Sequence, residues 1–131
     1  MGQLRAAVDV VPAVTAPRNV RAIIRVLLPA WGLQGSVVDD ALLLASELVS
    51  NAVEHAQGEA SLELEVLLAD GWLRLALSDG SSITPVVREV RHEGERGRGM
   101  QLVAEVAERW GHEERNGGKR VWFDLRADGT A

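Results

Sequence analysis

Glu47-Leu48-Val49-Ser50-Asn51-Ala52-Val53-Glu54-His55 sets a polar row beside an apolar one. Glu47, Asn51 and His55 are four apart, so on a helix they share a face. Leu44, Leu48 and Ala52 repeat with the same period and form the adjacent stripe. The polar row therefore borders the core instead of standing opposite it. A carboxylate, an amide and an imidazole placed there can meet a phosphate-bound Mg2+ and its waters; read alone, the row is also an ordinary solvated helix edge. Mg2+ takes hard oxygen ligands and keeps waters when phosphates share it, so one amide oxygen is a sufficient protein contribution.

Working outward, Ser36 is a good N-cap for this helix, with Asp39 as the acidic partner three residues on. The helix is predicted to run to about Ala56, with Gly58 ending it. Upstream, Val20, Ile23, Ile24, Leu27 and Leu28 have helical spacing within Ala16 to Trp31, and Pro17 sits where a first-turn proline is tolerated. Residues 5–13 read as a first strand closed by Pro12. Downstream, Ser61 to Ala69 and Trp72 to Ser78 alternate as strands around the hairpin dipeptide Asp70-Gly71. Asp79 to Arg98 is aperiodic, and such long connections are often functional. Gly99 to Trp110 is predicted as a third helix, with Leu102, Val103, Val106 and Ala107 inward. Gly111 to Arg115 and Lys119 to Leu125 form a last hairpin around Asn116-Gly117-Gly118.

Antiparallel strand pairs with helices between them define an α+β fold: a two-layer α/β sandwich. Its sheet is expected to be mixed, mostly antiparallel, with the helices on one face. The 131 residues make a single domain with a core of about residues 8–125. Composition agrees, at 47% hydrophobic and 25% charged residues, which is enough to bury a core without staples. Without cysteine there are neither disulfides nor thiolate metal sites. No apolar run approaches a membrane span and no secretory leader is evident, so the expected location is cytoplasmic. A net charge of −5 argues against a direct nucleic-acid partner.

Two further segments carry chemistry. In Leu77-Ser78-Asp79-Gly80 an apolar strand ends in a carboxylate, which can accept a hydrogen bond from an exocyclic amine, while Gly80 lets a flat base approach. Read alone, Asp-Gly is also a common turn. In Gly94-Glu95-Arg96-Gly97-Arg98-Gly99-Met100-Gln101-Leu102-Val103 glycines lead into an apolar-periodic helix, whose N-terminal amides and dipole favour phosphate. Arg96 and Arg98 add positive charge; read alone, the stretch is also a flexible loop with a glycine cap. No βαβ unit surrounds these glycines and no Gly-Lys-Ser or Gly-Lys-Thr follows, which excludes the dinucleotide fingerprint and the Walker loop.

In this order and spacing the three segments resemble the N box and the two glycine boxes of the GHKL ATPase superfamily, which has the Bergerat ATP-binding fold. Glu-Leu-Val-Ser-Asn-Ala-Val-Glu-His-Ala and the closing Gly-Gly-Lys-Arg-Val-Trp-Phe-Asp-Leu resemble its anti-sigma regulatory factor branch, the RsbW/SpoIIAB-like serine kinases. The resemblance implies ATP and Mg2+ as ligands, with Asn51 holding the metal and Glu47 acting as catalytic base toward a partner serine. It implies that Asp79 and Gly80 read adenine. Gly97, Arg98, Gly99, Met100, Gln101 and Leu102 would cradle the phosphates under a lid formed by Ser81 to Arg98; His55, on the same row as Asn51, is a further candidate cofactor-binding residue. Arg120 falls where many relatives carry Thr beside the adenine-binding Asp. The implied partners are a sigma factor and a STAS-type anti-sigma-factor antagonist, and the implied assembly is a homodimer. The alternative is a catalytically inactive nucleotide-binding interaction module of the same fold.

Overall fold

The computed structural model describes residues 2–55, 61–79, 105–115 and 118–127. The chain runs β1 (Leu4–Val10), α1 (Ala16–Ala30), α2 (Ser36–His55), β2 (Leu62–Ala69), β3 (Trp72–Asp79), β4 (Arg109–Arg115) and β5 (Gly118–Arg126). The five strands form one sheet in the order β1-β2-β3-β5-β4. Among the described residues every pairing in it is antiparallel, so the expected mixed sheet is antiparallel throughout that part.

Local sequence explains the turns. α1 starts with Pro17 in its first turn, where the missing N–H costs nothing. It stops at Gly32, whose φ of +87° is the left-handed conformation that glycine adopts without a Cβ clash. The Leu33 amide donates to the Leu28 carbonyl and the Gly32 amide to Pro29, which satisfies two end carbonyls in a Schellman arrangement. Leu33 is buried, completing the apolar contact of that motif. α2 begins one residue earlier than a Ser36 cap implies. The Gly35 carbonyl accepts from the Val38 and Asp39 amides, so Gly35 is the capping residue and Ser36 lies in the first turn. Asp70 and Gly71, with φ of 55° and 79°, make the tight link between β2 and β3, as a primed turn requires.

The core lies between the helices and one face of the sheet. Val20, Ile24 and Leu28 of α1 meet Leu44, Ala45, Leu48 and Val49 of α2, and these cover Leu62, Leu64 and Val66, then Leu73, Leu75 and Leu77, then Val121, Phe123 and Leu125. Alternation by two puts each strand trio on one face. α1 packs on α2, and α2 packs on β3 and β5. Among the described residues no helix is long and apolar enough to cross a membrane.

Among the described residues the opposite sheet face carries charged side chains and no helix. Glu65 pairs with Arg5 and, at 3.3 Å, with Arg120, which also reaches Glu113 at 3.2 Å. Asp124 takes Arg74 and Arg109. The Arg74 guanidinium lies 4.1 Å from the Trp122 ring centre, and those of Arg109 and Arg126 lie 3.8 Å and 4.4 Å from that of Trp72. These arginines cover Glu65 and Asp124, which are buried charges and need such partners.

Two boundaries correct the sequence reading. The first strand ends at Val10, ahead of Pro12. The third helix does not reach Trp110, because β4 begins at Arg109. Glu105 and Val106 are helical; Gly99 to Ala104 lie outside the described residues. Arg109 opposes Asp124 and Trp110 opposes Phe123 across the β4–β5 ladder. That long-range pairing overrides the helical periodicity read from Leu102 to Ala107.

Candidate functional site

α2 carries the polar row as its spacing requires. Leu44 and Leu48 are 0% and 3% exposed and Ala52 9%, while Glu47 and Asn51 next to them are half-buried. The row therefore runs along the seam where the core meets solvent. Among the described residues no hydrogen bond or ion pair engages the Glu47 or Asn51 side chain. Glu54 is exposed on α2 and has a partner of its own. His55 is the last residue of α2.

Asp79 is the last residue of β3, with Lys119 of β5 as its Cα partner. β2 starts where β3 stops, with Glu63 opposite Ser78.

Arg120 is not beside Asp79. It opposes Ser78, and its guanidinium is on the outer face with Glu65 and Glu113. The residue directly across from Asp79 is Lys119, the only lysine of the chain, half-buried and flanked on its other side by Glu114 of β4. The signal was available in the parity of β5: Val121, Phe123 and Leu125 point inward, so residue 119 belongs to their series and residue 120 to the other.

Gly80, Gly97, Arg98, Gly99, Met100, Gln101 and Leu102 lie outside the described residues, as does the expected lid from Ser81 to Arg98. Among the described residues no cluster of three or more His, Asp or Glu side chains could hold a metal ion by itself. The donor set present, one half-buried amide and one carboxylate a helical turn apart, fits a Mg2+ that takes most of its ligands from phosphate and water.

A two-layer sandwich with this polar row on its second helix agrees with the comparisons to known proteins. A family model for the histidine kinase-like ATPase domain matches residues 10–125, and the chain belongs to that family. Among solved structures it is similar to the RsbU and RsbW domains of Rv1364c from Mycobacterium tuberculosis. The TM-score is 0.73 at 22% identity, covering 94% of this chain and 32% of that one. The chain thus spans about a third of the length of that structure, and the likeness is one of fold. No curated protein sequence matches it.

Proposed function

We propose that this chain is an ATP-binding anti-sigma-type regulator that phosphorylates a serine of a STAS-type antagonist protein and binds a sigma factor, in the cytoplasm. The observation that carries the reading is the half-buried pair Glu47 and Asn51 at the core edge of α2, in a chain of the histidine kinase-like ATPase family. Asn51 offers its amide oxygen to the Mg2+ that accompanies ATP. That ion neutralises phosphate charge when bound, which is most of what phosphoryl transfer asks of a site. Glu47, one turn earlier, takes the proton from the serine hydroxyl as the oxygen attacks. Asp79 accepts from the adenine amino group, with Gly80 beside the base. By resemblance of sequence, Gly97 to Leu102, Arg98 included, supply phosphate contacts; His55, four residues after Asn51, is a further cofactor-binding candidate.

The test is to incubate the purified chain with Mg·ATP and a purified STAS-domain antagonist and to look for phosphoserine by intact mass. Phosphate on the antagonist, dependent on Mg2+ and on this chain, supports the reading. ATP binding without transfer to any antagonist leaves a nucleotide-binding interaction module.

A further inference from the structure

The outer face of the sheet holds a cleft outside the nucleotide site, and the register of the strands explains it. Glu65, Ala76 and Trp122 stand side by side across β2, β3 and β5, so a small side chain lies between two large ones. The neighbouring row on this face holds Arg5, Leu67, Arg74 and Asp124. The cleft has a volume of about 240 Å³, and Arg5, Glu65, Leu67, Arg74, Ala76 and Arg120 line it. One water occupies about 30 Å³, so there is room for a small molecule. Its apolar lining is Ala76, fully buried, and Leu67, half-buried. Three guanidiniums and one carboxylate give the lining a net charge of +2. Glu65 takes both Arg5 and Arg120, and Arg74 is tied to Asp124. These ion pairs hold the three cationic heads in place before a ligand arrives, which lowers the ordering cost of binding. Each guanidinium has five N–H donors. Among the described residues, hydrogen bonds within the protein use one on Arg5 and two each on Arg74 and Arg120. The other carboxylates of this face, Asp9, Glu63 and Glu113, stand in the row of Ser78 and Arg120. They are exposed, where salt screens them.

From this cleft we infer a binding site for a small organic dicarboxylate. Guanidinium forks match carboxylates in two-point contacts. Two carboxylates on one ligand neutralise the net charge of the lining. Ala76 and Leu67 suit a short hydrocarbon body, which inorganic phosphate does not have. The site is on the sheet face away from the helices, and it shares no residue with the row Glu47, Asn51 and His55 or with Asp79. It is therefore independent of the proposed nucleotide chemistry.

Calorimetric titration tests it, with succinate as the probe, succinamide as its uncharged analogue and inorganic phosphate as an anion without a carbon chain. The proteins are the wild type, Arg5→Gln and Ala76→Leu. The Arg5 side chain is 63% exposed and Glu65 keeps Arg120, so the first variant spares the core. The second fills the cleft and leaves every charge in place. The expected result is succinate binding that weakens with salt, falls at least about tenfold in Arg5→Gln and is lost in Ala76→Leu. Succinamide and phosphate should not bind comparably. In the wild type, succinate should shift the NMR signals of the Ala76 amide and the Trp122 indole N–H. Saturating Mg·ATP should leave the succinate affinity unchanged, because the two sites are separate. No succinate binding, equal binding of succinamide, or equal or stronger binding of phosphate overturns the proposal. So does wild-type affinity in either variant, or displacement of succinate by Mg·ATP. Melting curves without ligand show whether each variant folds. If Ala76→Leu does not, the Arg5→Gln titration and the shifts at Ala76 and Trp122 decide.

Discussion

Arg74 and Asp124 face each other across β3 and β5 and join through two parallel hydrogen bonds, Nε to Oδ1 at 2.7 Å and Nη2 to Oδ2 at 2.9 Å. Arg109 of β4 donates to the same carboxylate from the other side, Nε to Oδ2 at 3.0 Å. Asp124 is 1% exposed, so three strands of the outer face converge on one buried charge. Burial by itself raises the Asp124 pKa, but the hydrogen bonds and charges of the two arginines outweigh it and hold the carboxyl below its ordinary value of 3.8. Arg5 and Arg120 outweigh burial at Glu65 in the same way, below 4.5.

The sign of the linkage follows. A carboxyl with a depressed folded pKa contributes stability that is present above its unfolded value and lost as pH falls through its folded value. The melting temperature should therefore hold above about pH 5 and drop below about pH 4. In Asp124→Asn the fall on acidification should be shallower than in the wild type. At neutral pH this variant should be less stable by about 1–3 kcal/mol, below the figure for a fully buried pair because both arginines reach solvent. Chemical denaturation at two pH values measures both effects.

Gly111 answers a packing demand of the same face. A Cβ there would stand 2.8 Å from the Trp122 ring, over which the Arg74 guanidinium also stacks. Gly111→Ala should lower stability by about 1–3 kcal/mol, as overpacking does. Combination with Trp122→Leu should recover part of that loss, and denaturant midpoints of the two variants compare them.

Asp79 should set base preference. A carboxylate accepts from the amino group of adenine and repels the carbonyl oxygen of guanine. ATP should displace a labelled ATP analogue far better than GTP, and Asp79→Ala should lose most of that difference. Equal displacement by ATP and GTP in the wild type would remove Asp79 from the role.

Glu47 should separate binding from chemistry. A base acts when the proton moves, so Glu47→Gln should bind ATP nearly as the wild type does. Phosphorylation of an antagonist serine should fall roughly 10²–10⁴-fold. Transfer at the wild-type rate would mean that another group is the base, with Glu54 the next to test.

Much of this was legible in local sequence. Asp70-Gly71 marks its hairpin, and Glu47 and Asn51 border the stripe of Leu44, Leu48 and Ala52 as helical spacing demands. What was misread depends on contacts distant in sequence. Arg109 and Trp110 are strand residues because Asp124 and Phe123 stand opposite them, and nothing within Gly99 to Trp110 signals that. Arg120 was assigned by its place after a glycine pair. The sheet register instead sets Lys119 opposite Asp79 and turns Arg120 toward Glu65. The strand alternation of Val121, Phe123 and Leu125 carried that information, and a motif match by itself does not use it.

The central claim is that α2 builds a Mg·ATP site through Asn51. The most direct measurement is the melting temperature of wild type and Asn51→Ala with ATP, with and without Mg2+. Ligand at a hundredfold its dissociation constant adds about 2.7 kcal/mol of stability. The account predicts a clear rise for the wild type that Mg2+ enlarges, and for Asn51→Ala an unchanged fold with the Mg2+-dependent part gone. Equal shifts in the two proteins, or no shift in the wild type, would contradict it.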